Sequence, residues 1–217
     1  MKLEIEVPET LNEITLRQYQ KFLKFLKLEN KKEAEIKLAT VNIFCNVNEV
    51  VVRSMKASDI NEICEHITNL LEQTPSLINR FKLNGVNYGF INNLDSISFG
   101  EYVDLDTYIG DWDNMQLAMN VLYRPIVIDK KERYLLEDYN PNESERVLDM
   151  PLSAVISSII FFYNLGIELS QAIMNSSRKE NEKILAEHLN LEQNGVGIVQ
   201  FMDSLKGILH DLKISPN

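Results

Sequence analysis

The longest apolar stretch of the chain, residues 152–167, sets the strongest limit on its fold. A membrane-spanning helix needs about 20 mainly apolar residues, and this stretch is shorter. It is also interrupted by four polar side chains, Ser153, Ser157, Ser158 and Asn164. Pro151 precedes it, and proline is favoured in the first turn of a helix. The sequence therefore predicts a helix over residues 152–176 in the centre of a core, and no membrane span.

Charge and cysteine content restrict the kinds of partner. The 217 residues are enough for one or two domains. The net charge of −10 argues against nucleic acid as a partner, because a protein that coats a duplex needs a basic face. Residues 1–6 alternate charged and apolar side chains and lack the pattern of a secretory signal. Cys45 and Cys64 lie in apolar helical patterns, which fits reduced core thiols better than a disulfide framework.

Helices dominate the pattern of the N-terminal part. The alternating residues before Pro8 predict a short edge strand or an extended arm, residues 1–14. Thr15 and Gln18 have the spacing of a capping box and predict a helix over residues 15–28. Apolar residues at helical spacing predict three further helices, over residues 33–45, 48–55 and 58–72.

The apolar pattern changes from helical to strand spacing in two places. Asn84 and Gly85 lie between alternating apolar residues and can supply the positive φ angles of a type I′ turn. A β-hairpin is therefore predicted over residues 77–91. A second hairpin is predicted over residues 126–136, around a charged turn.

Two helices are predicted between these hairpins. Ser98 and Glu101 form another capping-box pair at the start of the first. The second covers residues 115–123 and ends at Arg124, because the residue before Pro125 is disfavoured in the α region.

The C-terminal part, residues 176–217, is predicted to be a separate helical tail. A polar linker leads to an amphipathic helix beyond Gly197, in which Phe201 and Leu205 would bind a partner or pack on the chain's own core. The predicted fold class is mainly α with minor α+β character. It has a main helical domain over residues 15–175, one or two short β-hairpins, an N-terminal extended arm and a C-terminal amphipathic helix.

A basic stripe is predicted on the first helix. Its members are Arg17, Lys21, Lys24 and Lys27. The stripe is interpreted either as a face in contact with solvent or as a contact surface for an acidic partner. Residues 1–60 contain ten basic and nine acidic residues, against twelve and 23 in the remainder. This polarity would favour the stacking of a basic head on an acidic body in an oligomer as readily as the binding of DNA.

Residues 95–114 contain six acidic residues and neither Lys nor Arg. Paired carboxylates could bind a hard cation or act as acid and base, with Glu101, Asp104 and Asp106 as the candidates. A calcium loop that starts at Asp104 lacks the required ligand and glycine, and carboxylates at helix starts stabilise the helix dipole. No nucleotide loop or zinc pattern occurs, so the sequence predicts no catalytic residue, metal or cofactor.

Aromatic residues lie among these acids. Tyr102 and Trp112 are candidates for anchoring a basic partner, and the same spacing is typical of ordinary core residues. Arg124 is the predicted internal counter-ion of the acidic segment, since a buried arginine needs such a partner.

Four segments resemble a family of small proteins encoded by tailed bacteriophages, including crAss-like phages of gut Bacteroidetes. They are NEITLRQYQKFL at 12–23, FKLNGVNYGFI at 81–91, FGEYVDLD at 99–106 and YRP at 123–125. The resemblance covers roughly residues 1–175. It implies a non-enzymatic virion or virion-assembly protein made in the host bacterial cytoplasm. The implied role is cargo, neck or tail protein, and the implied partners are other phage structural proteins or copies of the chain itself.

Three alternatives stay open at this point. A tail-assembly chaperone would share the resemblance but would be absent from the finished virion. A carboxylate-dependent metal-binding enzyme would use the acidic segment. A nucleic-acid-associated protein would use the basic stripe.

Overall fold

The protein is described by a computed structural model that covers residues 5–91, 93–94, 97–130 and 133–178, with only the helical backbone for 168–178. Its helices and strands follow one another along the chain as α1 (Leu16–Leu26), α2 (Glu33–Phe44), α3 (Glu49–Val52), α4 (Ala57–Leu71), β1 (Arg80–Leu83), β2 (Val86–Phe90), α5 (Phe99–Tyr108), α6 (Met115–Leu122), β3 (Tyr123–Lys130), β4 (Arg133–Leu136), a 3-10 helix (Pro141–Val147) and α7 (Leu152–Arg178). Most of the described elements are helices, beside a four-stranded antiparallel sheet. The prediction of a mainly α fold with minor β structure is confirmed.

The sheet has the order β1-β2-β3-β4. The first hairpin turns at Asn84 and Gly85, whose φ angles of 49° and 83° have the sign that a type I′ turn requires. The second hairpin joins β3 to β4. The two hairpins also pair with each other, with Phe90 of β2 opposite Tyr123 of β3, so they form one sheet.

The position of Arg124 and Pro125 corrects one prediction. The sequence placed this pair at the end of a helix and began the next strand at Ile126. In the structure α6 already ends at Leu122, and both residues belong to β3, with Arg124 opposite Gly89. Proline donates no backbone hydrogen bond, and the β3–β4 pairing shows a register shift just after it.

The first two turns of α7 form the centre of the core. Every residue from 152 to 159 is buried. The hydroxyls of Ser157 and Ser158 donate to the carbonyls of Ala154 and Val155 in their own helix, at 3.0 and 2.8 Å, so these buried polar groups are satisfied. The predicted central helix is thus present, and no helix of the described residues is both long and apolar enough to cross a membrane.

The segment before α1 packs on this core. Residues 5–8 form neither helix nor strand, so the edge-strand prediction does not hold for them. Leu11 and Ile14, two residues of the predicted arm, are buried at 3% and 0% exposure. The backbone amide of Leu152 donates to the Ile14 carbonyl at 2.7 Å, and the Leu16 amide donates to the Met150 carbonyl at 3.1 Å. The starts of α1 and α7 are therefore held side by side.

A smaller apolar cluster surrounds Cys45 near α2 and α3. Both cysteines are free, as predicted, with Cys45 buried and Cys64 half-buried. Burial raises the pKa of the Cys45 thiol to about 11, so this thiol is protonated at neutral pH. The predicted tail after residue 178, with Phe201 and Leu205, lies outside the described residues.

Tyr134 of β4 lies across the outer face of the sheet. A Cβ atom on Gly89 would lie 2.5 Å from Cε2 of the Tyr134 ring. The Tyr134 hydroxyl donates to the Phe90 carbonyl at 2.5 Å, and the Arg80 guanidinium lies 4.6 Å from the ring centre. The ring is held at its hydroxyl by the hydrogen bond and over its face by the guanidinium, so the position against it needs glycine.

We therefore predict that Gly89→Ala destabilises the protein. The added methyl group has to displace a ring that is fixed by a hydrogen bond and a cation–π contact. Overpacking of this kind costs about 1–3 kcal/mol, measured as the change in unfolding free energy in urea.

Gly100→Ala is the matched control. The nearest neighbour of its new Cβ would be the Ser98 hydroxyl at 4.0 Å, and position 100 lies within α5. Alanine is favoured over glycine in helices by about 0.5–1 kcal/mol, so stability should be kept or raised. A Gly89→Ala protein as stable as the Gly100→Ala protein would show that the ring does not occupy this position in solution.

Candidate functional site

Helix α5 carries most of the acidic segment, and its start is fixed by the predicted capping box. The Ser98 hydroxyl accepts from the Glu101 amide at 3.3 Å, and the Ser98 amide donates to Oε2 of Glu101 at 2.7 Å. Two amides of the first turn are thereby satisfied at the point where the helix begins.

Glu101 also forms a buried ion pair with Arg124 of β3. Nη1 of Arg124 lies 3.0 Å from Oε1 of Glu101, and the two side chains are only 15% and 9% exposed. One carboxylate oxygen thus serves the cap and the other serves the ion pair. This contact confirms the expected pairing of Arg124 with the acidic segment, and it attaches α5 to the sheet.

Other carboxylates of the segment are used within the fold. The Tyr139 hydroxyl donates to Asp104 at 2.5 Å, and burial, together with this hydrogen bond, raises the pKa of Tyr139. Asp111 accepts from the amide of Asp113 at 3.0 Å and from Nδ2 of Asn114 at 2.7 Å, which shapes the turn before α6. Asp106 is exposed on α5. Apart from Asp106, the described acids of this segment therefore take part in separate contacts of the fold.

The described residues contain no group of three or more His, Cys, Asp or Glu side chains arranged to hold a metal ion. An open depression of about 440 Å³ lies away from the acidic segment, beside α4. It is lined by Val7, Glu62, Ile63, Glu65, His66 and Asn69. On its rim, Nε2 of His66 lies 2.8 Å from the Pro8 carbonyl, a contact that holds the N-terminal segment against α4.

The outward face of α5 is apolar at its start. Phe99, Tyr102 and Val103 are 81%, 46% and 41% exposed. Their spacing places them on one side of the helix, with Asp106 one turn further along. We call these four residues the α5 outer face.

Trp112 has a different environment from Tyr102. It is only 8% exposed, and its ring meets Tyr19 of α1 edge-on at 4.8 Å between ring centres. Of the two aromatic candidates for anchoring a partner, Tyr102 is therefore at the surface and Trp112 is in the core.

The basic stripe of α1 is partly neutralised. Arg17 makes two hydrogen bonds to Asp149, at 2.6 and 3.1 Å, and Lys27 lies 2.6 Å from Asp113. Lys21 and Lys24 are exposed between them, and no carboxylate of the described residues pairs with either. The middle of the predicted stripe is thus the part without an ion pair among the described residues.

Sequence reasoning missed two features of this region. Gln20 is 7% exposed, and its amide donates to the Trp112 carbonyl and to Oε1 of Gln116, both at 2.8 Å. This contact joins α1 to the loop between α5 and α6, across 92 residues of sequence. Val103 was also not singled out, although its helical spacing from Phe99 is the signal that could have identified a shared face.

Comparison with known proteins assigns no family. No family model matches the chain, and no curated protein or solved structure matches it either. The geometry around α5 is therefore the basis for a functional proposal.

We predict that Glu101→Gln is strongly destabilising. Glutamine keeps an acceptor for the helix cap but leaves the Arg124 guanidinium buried without its counter-charge. Breaking one partner of a buried pair costs about 3–5 kcal/mol, measured by urea unfolding. The double variant Glu101→Gln/Arg124→Met should recover much of this loss, since both charges are gone.

The exposed Asp106→Asn substitution serves as control. Surface changes of this kind usually stay within about 0.5 kcal/mol of wild type. If Glu101→Gln changes stability no more than Asp106→Asn does, the Glu101–Arg124 pair does not hold α5 on the sheet.

Proposed function

We propose that this chain is a non-enzymatic structural or virion-associated protein of a tailed bacteriophage, and that it acts by binding other proteins through the α5 outer face. The resemblance of residues 1–175 to tailed-phage proteins supports the biological setting. The exposure of the α5 outer face supports the mode of action.

The observation that carries the proposal is the apolar start of this face. Phe99 is a large aromatic residue with 81% of its surface exposed, and Tyr102 and Val103 extend the same side of the helix. Contiguous exposed apolar residues beside polar ones are typical of protein contact sites, and aromatic residues are enriched there. A single exposed apolar side chain would need no such explanation.

The use of the nearby carboxylates favours contact over catalysis. Glu101 serves a cap and an ion pair, Asp104 accepts from Tyr139, and Asp113 pairs with Lys27. An ion or a substrate at these groups would have to displace contacts that the fold already makes. A structural role for these acids therefore supports the proposal over the metal-binding enzyme.

We predict that the chain co-purifies with mature phage particles at a defined copy number, as measured by quantitative mass spectrometry. The double variant Phe99→Ser/Val103→Ser should reduce incorporation into particles, since it removes apolar contact area without opening the core. Circular dichroism should remain that of the wild type.

The control is Val127→Ser/Leu135→Ser, which also replaces two exposed apolar residues, at 55% and 57% exposure, but on the second hairpin. Incorporation of this variant should match the wild type. A chain that is abundant in infected cells but absent from purified particles would instead indicate a tail-assembly chaperone. Equal incorporation of the α5 variant and the wild type would contradict the α5 outer face as the contact.

A further inference from the structure

A second exposed surface carries positive charge, which the α5 outer face lacks. Lys21 and Lys24 lie on one side of α1. Leu28, which is 55% exposed, lies two residues beyond the end of this helix. We call these three residues the α1 basic face. It combines two cations with one apolar side chain, whereas the α5 outer face combines three apolar side chains with one carboxylate.

The ion pairs of the fold leave opposite charges on these two regions. In the α5–α6 region, Arg124 neutralises Glu101 and Lys27 neutralises Asp113. Asp104, Asp106 and Asp111 have no cation paired with them among the described residues. On α1, Asp149 neutralises Arg17 and Asp113 neutralises Lys27, so the charges left without a partner are those of Lys21 and Lys24.

We propose that the α5 outer face of one copy of this chain binds the α1 basic face of a second copy. Phe99, Tyr102 and Val103 would pack against Leu28 and the methylene stems of the lysines, whose ammonium groups would reach Asp106. Opposite potentials across a contact give it orientation and specificity. The inference rests on the proposed function and names the partner for its contact surface.

The two surfaces cannot meet within one chain. Helix α1 is bound to the loop after α5 through Gln20 and Trp112 and through Lys27 and Asp113, and both surfaces face solvent in that arrangement. Because they are different surfaces, their contact is head-to-tail. Repetition of such a contact gives a closed ring or an open filament.

Charge also favours a second copy over the chain's own C-terminal residues as the occupant. Residues 179–217 contain four lysines and six acidic residues, with no arginine. This segment has the same sign of charge as the α5 region. The α1 basic face has the opposite sign.

Sedimentation velocity of the full chain over a range of concentrations tests the proposal. The wild type should self-associate, and the association should weaken in about 0.5 M salt, where the Debye length falls to a few ångströms. Phe99→Ser/Val103→Ser and Lys21→Glu/Lys24→Glu should each weaken association by about tenfold or more. The control Val127→Ser/Leu135→Ser should associate like the wild type.

A mixture of charge variants gives the sharpest result. Lys21→Glu/Lys24→Glu chains and Asp106→Lys chains each bring like charges together and should fail to associate alone. In a 1:1 mixture every α5 outer face again meets an α1 face of opposite charge, so association should return. A structural defect in either variant would not be repaired by mixing.

Several outcomes would overturn the inference. These are a wild type that stays monomeric at about 100 μM, a dissociation constant near the millimolar range or weaker, a control variant that weakens association equally, and a mixture that does not recover. Loss of association only on removal of residues 179–217 would identify the C-terminal segment as the occupant instead. A monomeric chain that still enters particles would overturn this inference and leave the proposed function standing. An oligomeric chain that is absent from particles would overturn the proposed function and leave this inference standing.

Discussion

The burial of the first two turns of α7 is the constraint on which the rest of the structure depends. A helix that is buried on all sides needs neighbours on all sides, and the sheet, α1 and α6 provide them. The hydrogen bonds of Leu152 with Ile14 and of Leu16 with Met150 fix how α1 meets this helix. Two buried polar side chains of α7, Ser157 and Ser158, are satisfied because they donate to carbonyls of their own helix.

The orientation of α5 follows from this core through a short series of contacts. Tyr123 is fully buried, and its hydroxyl donates to the carbonyls of Ile78 and Ala154, at 2.9 and 3.2 Å. The next residue along β3 is Arg124, which holds Glu101 beneath α5. A change that loosens Tyr123 from α7 would therefore also shift the Arg124–Glu101 pair and, with it, helix α5. The position of the α5 outer face thus depends on contacts in the core.

Local signals in the sequence predicted local structure correctly, but they did not predict contacts between distant residues. The helix cap and the hairpin turn each depend on residues one to three positions apart, so their spacing in the sequence is enough to predict them, as for Ser98 with Glu101 and Asn84 with Gly85. The pairing of β2 with β3 joins residues more than 30 positions apart and left no local signal. Pro125 suggested a helix end, and the helix does end nearby, but pairing with Tyr88 places this proline inside a strand. Glu101 was correctly expected at the start of α5, whereas only the structure shows which aromatic residues lie at the surface.

The rotation of α5 about its own axis explains why those aromatic residues lie outside. Glu101, Leu105 and Ile109 are buried, so the side of the helix that they share must face the sheet and α6. Helical geometry then places Phe99, Tyr102 and Val103 towards solvent, whatever their chemistry. Polar residues at positions 99, 102 and 103 would allow the same helix cap, the same ion pair and the same burial of the opposite side of α5. The contact proposed for the α5 outer face would account for the presence of these apolar side chains together on this side.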